Sequence, residues 1–160
     1  MKRFAQFALK VTTAHVLTYF VVGAAAYAYL THEFYVGQNP IFATFMRTEA
    51  EPVLWAHVMR WFLPGQILRG LLLAIALYPF LPTIEGWPFG KRLGSIAGLY
   101  LIIGCWAAAT ASPGTIEGLI YLRPEITKRA HLLVQPEIIV QSVGMAALIA
   151  WWLPRGNRKV

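Results

Sequence analysis

The chain has 160 residues, of which 58% are hydrophobic and 13% are charged, and its formal net charge is +7. A soluble domain usually carries about 25% charged residues, so this composition excludes an ordinary soluble globular protein. The basic residues lie at the ends of apolar runs, where membrane topology accounts for them. We therefore expect no nucleic-acid partner.

Four apolar segments dominate the chain, at Val11–Thr31, about 62–81, Leu93–Ala111 and Glu137–Leu153. Each has about the length needed to cross a hydrocarbon core about 30 Å thick. The predicted fold is all-α: a polytopic membrane protein with a single transmembrane domain, built as a bundle of four transmembrane helices.

The first segment also resembles a secretory signal peptide, because basic residues precede it and Ala26-Tyr27-Ala28 has the form of a cleavage site. Its apolar run is longer than a usual signal core. We therefore expect it to remain as the first transmembrane span.

The first outer loop is predicted to contain a short interfacial helix, within EAEPVLWAHVMRWF. Trp55, Met59 and Phe62 fall on one face at helical spacing, and aromatic residues are typical of the membrane interface. Pro64 is expected to break the chain between this helix and the second span.

Small residues recur at four-residue spacing in the third and fourth spans. They are Gly90, Gly94 and Gly98, followed by Ser142, Ala146 and Ala150. Such residues allow helix backbones to approach closely in lipid, so both rows are predicted to pack inside a compact bundle.

More basic residues fall on the side of the two termini than on the opposite side, so the positive-inside rule predicts that both termini are cytoplasmic. The expected location is the inner (plasma) membrane. Cytoplasmic lysines and arginines are also expected to hold anionic lipid headgroups.

Polar residues inside spans are costly and usually face the bundle interior. Three pairs share helical faces: His15 with Tyr19, Gln66 with Arg69, and Glu137 with Gln141.

Arg69 is the sharpest of these residues, because an unpaired guanidinium within a membrane is expensive. We predict that it lies just below the outer interface and pairs with Glu117, with Glu137 as a second partner. The alternative is that its side chain extends back to water at that interface. Glu137 also has a purely structural reading, since it lies in the first turn of a helix, where the dipole favours negative charge. The predicted ligand site is an outer-leaflet pocket lined by Arg69, Glu117, Glu137, Gln66, Gln141, Tyr19 and His15.

No cofactor or metal site is expected. His32, His57 and His131 fall in outer loops, so His15 has no histidine partner for haem, and no ligand spacing indicates a metal. Cys105 is the single cysteine, which excludes an intramolecular disulfide and a cysteine-based zinc site.

The segments TAHVLTYFVVG, QILRGLLLAIALYPF and SPGTIEGLIYLRPE resemble stretches of small bacterial four-span membrane proteins with no assigned activity. This resemblance implies that His15, Tyr19, Arg69 and Glu117 are residues of interest, and it implies no chemistry. In architecture the chain is also similar to the four-span sterol-isomerase and sigma-2-receptor family, which has paired carboxylates in an intramembrane pocket. Here an arginine occupies the interior instead, so that family's activity is not carried over.

Three functions fit these observations. The first is a binding protein for a lipid-like or small anionic, amphipathic molecule. The second is an accessory subunit of a larger membrane complex, or a homo-oligomer, in which the polar residues only lock the bundle. The third is an intramembrane enzyme that uses Glu117 or Glu137 as acid or base, with Arg69 stabilising negative charge.

Overall fold

The computed structural model describes residues 2–37, 40–122 and 126–154, and every regular element in these ranges is helical. The all-α prediction is therefore confirmed. The α-helices are α1 (Lys2–Ala26), α2 (Pro52–Leu77), α3 (Leu81–Glu85), α4 (Phe89–Gly98), α5 (Ile116–Tyr121), α6 (Lys128–Leu133) and α7 (Gln135–Trp152).

Short π and 3₁₀ segments lengthen several of these helices. A π turn (Tyr27–Thr31) and a 3₁₀ turn (His32–Phe34) continue α1, a 3₁₀ turn (Tyr78–Phe80) joins α2 to α3, and a π-helical segment (Leu99–Trp106) continues α4. A separate 3₁₀ turn covers Ile41–Thr44.

Three continuous helical runs are long and apolar enough to cross a membrane: Lys2–Phe34, Pro52–Glu85 and Lys128–Trp152. This property indicates a membrane protein.

The third predicted span, 93–111, is shorter than expected. Its helix ends at Trp106, and Lys91 and Arg92 lie near its start. The apolar part, Leu93–Trp106, extends about 21 Å at about 1.5 Å per residue. That length is less than the roughly 30 Å of a hydrocarbon core.

The separate interfacial helix predicted in the first outer loop is wrong. Trp55 and Phe62 belong to α2, which runs unbroken through Pro64. A proline removes one backbone hydrogen bond, but membrane helices tolerate this loss where neighbouring groups satisfy the freed carbonyl.

The bundle is arranged around α1, which packs against α2 on one side and α7 on the other, while α4 packs on α7. Contact between α1 and α2 is closest at Gly70, where a Cβ would lie 2.8 Å from Cα of Thr12. The buried apolar core joins all four helices and α3; it contains Phe7, Val11, Ala14, Ala74, Leu77, Leu81, Ile84, Ile96, Tyr100, Met145 and Ile149 among others.

The two rows of small residues have different environments. Ser142, Ala146 and Ala150 are buried, as predicted. A Cβ built on Gly90, Gly94 or Gly98 would meet no atom within 4 Å, so the prediction that this row packs inside the bundle is wrong.

Positions along α1 define the two ends of the bundle. Arg3 pairs with Glu85 at one end, called here the Arg92 end because Arg92 lies beside Glu85. At the other, the Glu137 end, a Cβ on Gly23 would lie 3.5 Å from Oε1 of Glu137. The twenty residues between Arg3 and Gly23 correspond to about 30 Å.

Candidate functional site

His15 of α1 is fully buried and connects three helices. Its Nε2 lies 3.0 Å from Oε1 of Gln66 in α2, and its Nδ1 lies 3.4 Å from the hydroxyl of Tyr100 in the continuation of α4. An amide oxygen only accepts, so Nε2 carries the proton and Nδ1 accepts from Tyr100. His15 therefore fixes the orientation of the Tyr100 side chain.

Arg69 lies over this tyrosine. Its Cζ is 5.7 Å from the centre of the Tyr100 ring, which is a cation–π contact. The residue is exposed at the surface of the bundle, and no carboxylate among the described residues lies within 4.0 Å of its guanidinium.

A cleft of about 420 Å³ separates α2 from α4 and its π-helical continuation. We call it the Arg69 cleft, because Arg69 is its only charged lining residue among the described part of the chain. The other lining residues are Leu73, Ala76, Leu77, Phe80, Ile96, Leu99, Tyr100, Ile103, Gly104 and Met145. The cleft thus combines one guanidinium with an otherwise almost wholly apolar wall.

The backbone of Arg69 lies between the two ends of the bundle. Its neighbour Gly70 packs on Thr12, nine residues along α1 from Arg3, or about 14 Å. The Cα of Arg69 therefore lies between the levels of Arg3 and Gly23, and the depth of its guanidinium in a membrane stays a prediction.

The predicted ion pair between Arg69 and Glu117 or Glu137 is not formed. Glu137 faces Gly23, about 16 Å along α1 from the level of Thr12. The ion pairs of the described residues are Arg3–Glu85 and Arg129–Glu33.

Glu117 belongs to the short helix α5. Its position in the first turn follows the Thr115 cap, whose hydroxyl accepts from the Gly118 amide at 2.9 Å. This cap and the helix dipole give Glu117 a local structural role. The enzyme hypothesis, with Glu117 or Glu137 as acid or base and Arg69 stabilising negative charge, stays a hypothesis.

Glu137 and Gln141 form a second polar group, between α7 and α1. Gly144 of α7 lies against Thr18, so Gln141 lies between that contact and the Glu137–Gly23 contact. Gln141 is 7% exposed, and its Nε2 has no hydrogen-bond partner among the described residues.

Two tyrosines flank these polar groups. The ring of Tyr19 packs 6.1 Å from His15 and 5.4 Å from Phe62. At the Glu137 end, burial raises the pKa of Tyr35 to about 12, and the negative charge of Glu137 contributes further. His15 contacts Gln66, Tyr19 and Tyr100, and Arg69 contacts Tyr100. Of the seven predicted site residues, Arg69 is the one that lines the cleft described above, and a ligand pocket shared by all seven stays a prediction.

Arg92 is the residue that sequence reasoning missed. It is 3% exposed, and its three nitrogens donate to five backbone carbonyls of the described residues. The acceptors are Trp87 at 2.8 Å, Glu85 at 2.6 Å, Leu153 at 2.9 Å, Pro154 at 3.0 Å and Ala150 at 3.4 Å. Lys10 adds a hydrogen bond to the Trp152 carbonyl at 2.8 Å.

These two cations occupy the C-terminal end of α7, where free carbonyls and the helix dipole favour positive charge. In the sequence Arg92 looked like any cation at the end of an apolar run. Only the fold brings five carbonyls to it.

A hydrogen-bond network joins neighbouring segments at the Glu137 end of the bundle. The Trp106 indole donates to Gln135 at 2.9 Å, the Gln135 amide donates to the Gly114 carbonyl at 2.9 Å, and the Gly114 amide donates to Nδ1 of His131 at 3.1 Å. Nδ1 of His131 therefore already accepts a hydrogen bond from the backbone. Across the described residues, no three side chains of the metal-binding types come together.

No protein-family model, curated protein or solved structure matches this chain. The assignment of function therefore rests on the geometry of the bundle.

Proposed function

We propose that this chain is a small integral membrane protein that binds an amphipathic, anionic, lipid-like ligand at Arg69. The observation that carries the proposal is an arginine between the two ends of the bundle that lines an apolar cleft and has no carboxylate partner among the described residues.

The energetics favour an anionic occupant. A charged side chain at the centre of a bilayer costs at least about 2.5–3.5 kcal/mol. A cation–π contact such as that with Tyr100 returns about 0.5–2 kcal/mol. A bound anion would offset the remaining cost of the charge. It would do so through charge-assisted hydrogen bonds, which are stronger than those between neutral groups.

The buried histidine supports the same function. His15 accepts the Tyr100 hydroxyl and thereby holds the ring beneath Arg69, so the guanidinium is positioned before any ligand arrives. Prior positioning reduces the entropy lost on binding.

We also propose that the chain crosses the inner membrane four times, with both termini in the cytoplasm. The hydrogen bond from Lys10 to Trp152 supports it, because it joins the start of the first crossing to the end of the last at one end of the bundle. Lysines and arginines gather at that end, as the positive-inside rule requires of a cytoplasmic face. The short helix 89–106 would cross with help from residues 107–111.

The test is to extract the full chain gently from membranes and to measure the small molecules it retains by native mass spectrometry. We expect a bound species of defined mass in the wild type that is lost in Arg69→Ala and partly kept in Arg69→Lys. Arg60→Ala is the matched control, because Arg60 is exposed on the same helix but does not line the cleft. Equal retention by wild type and Arg69→Ala would overturn the proposal.

A second candidate is a subunit of a larger membrane assembly. The row Gly90, Gly94 and Gly98 favours it, since small residues with open space beside them allow another helix to approach. Cross-linking in native membranes should then capture a partner or a second copy, and Gly94→Ile should abolish the capture. A monomer in both proteins would exclude this role.

A further inference from the structure

We infer that the ligand of the Arg69 cleft is an apolar single-chain molecule whose only polar group is one carboxylate, and that intact phospholipids are excluded. This inference rests on the proposed function and names the chemical class that the cleft accepts. It follows from the depth of Arg69, the count of charges in the cleft, and the length of the apolar wall.

Depth excludes the large headgroups. Arg69 lies about 14 Å from the level of Arg3 at one end, and the Glu137 level is about 16 Å away in the other direction. If the membrane interfaces lie at these two levels, a glycerophosphate headgroup at Arg69 would lose its water inside the hydrocarbon core, where unsatisfied polar groups cost several kcal/mol each. A carboxylate brings two oxygens, and both can accept from one guanidinium fork.

The charge count favours a monoanion. Arg69 is the one charged residue among the described lining residues of the cleft. The Tyr100 hydroxyl is directed to His15, so it is not a free donor for a second anionic oxygen. One guanidinium therefore balances one negative charge, and a second charge on the ligand would stay uncompensated.

The shape of the cleft favours a single chain. On α2 and the 3₁₀ turn that follows it, the lining residues run from Arg69 to Phe80, which corresponds to about 16 Å along the helical run. The rest of the wall is formed by mostly apolar residues of α4, its continuation and α7. The expected occupant has its carboxylate at Arg69 and its chain directed toward Phe80.

The experiment compares defined probes on the delipidated full chain in detergent, with occupancy measured by native mass spectrometry. The probes are hexadecanoate, hexadecanol, lysophosphatidylglycerol and dioleoylphosphatidylglycerol. Hexadecanol isolates the contribution of charge, and the two glycerophospholipids isolate headgroup size and chain number. We expect hexadecanoate to bind at least tenfold more tightly than each of the others, and we expect Arg69→Gln to remove this preference.

A second pair of variants tests the path of the chain without touching Arg69. Ala76→Phe fills the cleft about 10 Å from Arg69, and it should weaken hexadecanoate at least tenfold while leaving octanoate within twofold. Ile75→Phe is the matched control, because Ile75 is exposed on the same turn and does not line the cleft. It should change neither probe.

The outcomes separate the two proposals. If either glycerophospholipid binds as tightly as hexadecanoate and depends on Arg69, the ligand class is wrong while the anion-binding function stands. If no probe depends on Arg69, both proposals fall. If Ala76→Phe and Ile75→Phe have the same effect on hexadecanoate, the chain does not occupy the cleft, and the inference is overturned.

Discussion

Two arginines of this bundle have opposite environments. Arg92 is buried and donates to five backbone carbonyls, three at the end of α7 and two before α4, whereas Arg69 is exposed, lines a cleft and makes no ion pair among the described residues. Both lie in or beside apolar helices, and the sequence does not show which of them finds acceptors in the fold. Their hydrogen bonds do.

This difference distinguishes an arginine that stabilises the fold from one that can bind a ligand. A guanidinium whose donors are all satisfied by the backbone stabilises the fold and has nothing left to offer a ligand. An exposed guanidinium without a carboxylate partner keeps its donors available for an anion and adds little to the stability of the unliganded fold. Variants of the two sites should therefore have opposite effects on stability and on ligand retention.

The largest effect is expected for Arg92→Ala. Five carbonyls would lose their donor together, and we expect a loss of about 3 kcal/mol or more in the free energy of unfolding. Thermal unfolding in detergent measures it. Lys91→Ala is the control: Lys91 is exposed and contacts only the Trp87 ring, at 4.5 Å, so its removal should cost about 1 kcal/mol or less. Equal losses in the two variants would contradict the structural role of Arg92.

His15→Leu is expected to rank next, at about 2 kcal/mol, because it removes two hydrogen bonds from a fully buried side chain. The exposed His57 of α2 provides the control, and His57→Leu should change stability by less than about 0.5 kcal/mol. His15→Leu should also weaken ligand retention with Arg69 still in place, since Tyr100 would no longer be held. Full ligand retention in His15→Leu would show that the Tyr100 ring does not have to be held by His15.

Glycine substitutions compare a packed helix face with an open one. Gly70→Ala brings a Cβ within 2.8 Å of the Thr12 backbone and should destabilise the protein by about 1–3 kcal/mol. Gly94→Ala meets open space and should be neutral or stabilising by up to about 1 kcal/mol, because alanine is the better helix former. Unfolding in detergent measures both. The reverse order would mean that the α4 row, not the α1–α2 contact, is the tight interface.

The helices themselves could be predicted from the sequence, because apolar runs of membrane-spanning length have few alternatives. The fourth predicted span, 137–153, matches α7 within two residues at each end. Pro64 misled the prediction, since a local rule for soluble helices does not decide what a membrane helix tolerates.

The partners of polar residues could not be predicted in the same way. Arg69 was rightly singled out as a costly charge, but its partner depends on how far α2 slides along α1, and the Gly70–Thr12 contact sets that register. The acceptors of Arg92 are backbone carbonyls, which every residue carries and which the sequence therefore does not mark.

The smallest effect on stability, and the most informative, is expected for Arg69→Ala. With no ligand present, this variant should unfold within about 0.5 kcal/mol of the wild type, because its side chain is exposed and has no ion pair among the described residues. Added hexadecanoate should raise the unfolding temperature of the wild type and leave that of Arg69→Ala unchanged, since a ligand stabilises only the protein that binds it. If Arg69→Ala instead loses as much stability as Arg92→Ala in the absence of ligand, Arg69 is a second structural clasp and the cleft has no anion to hold.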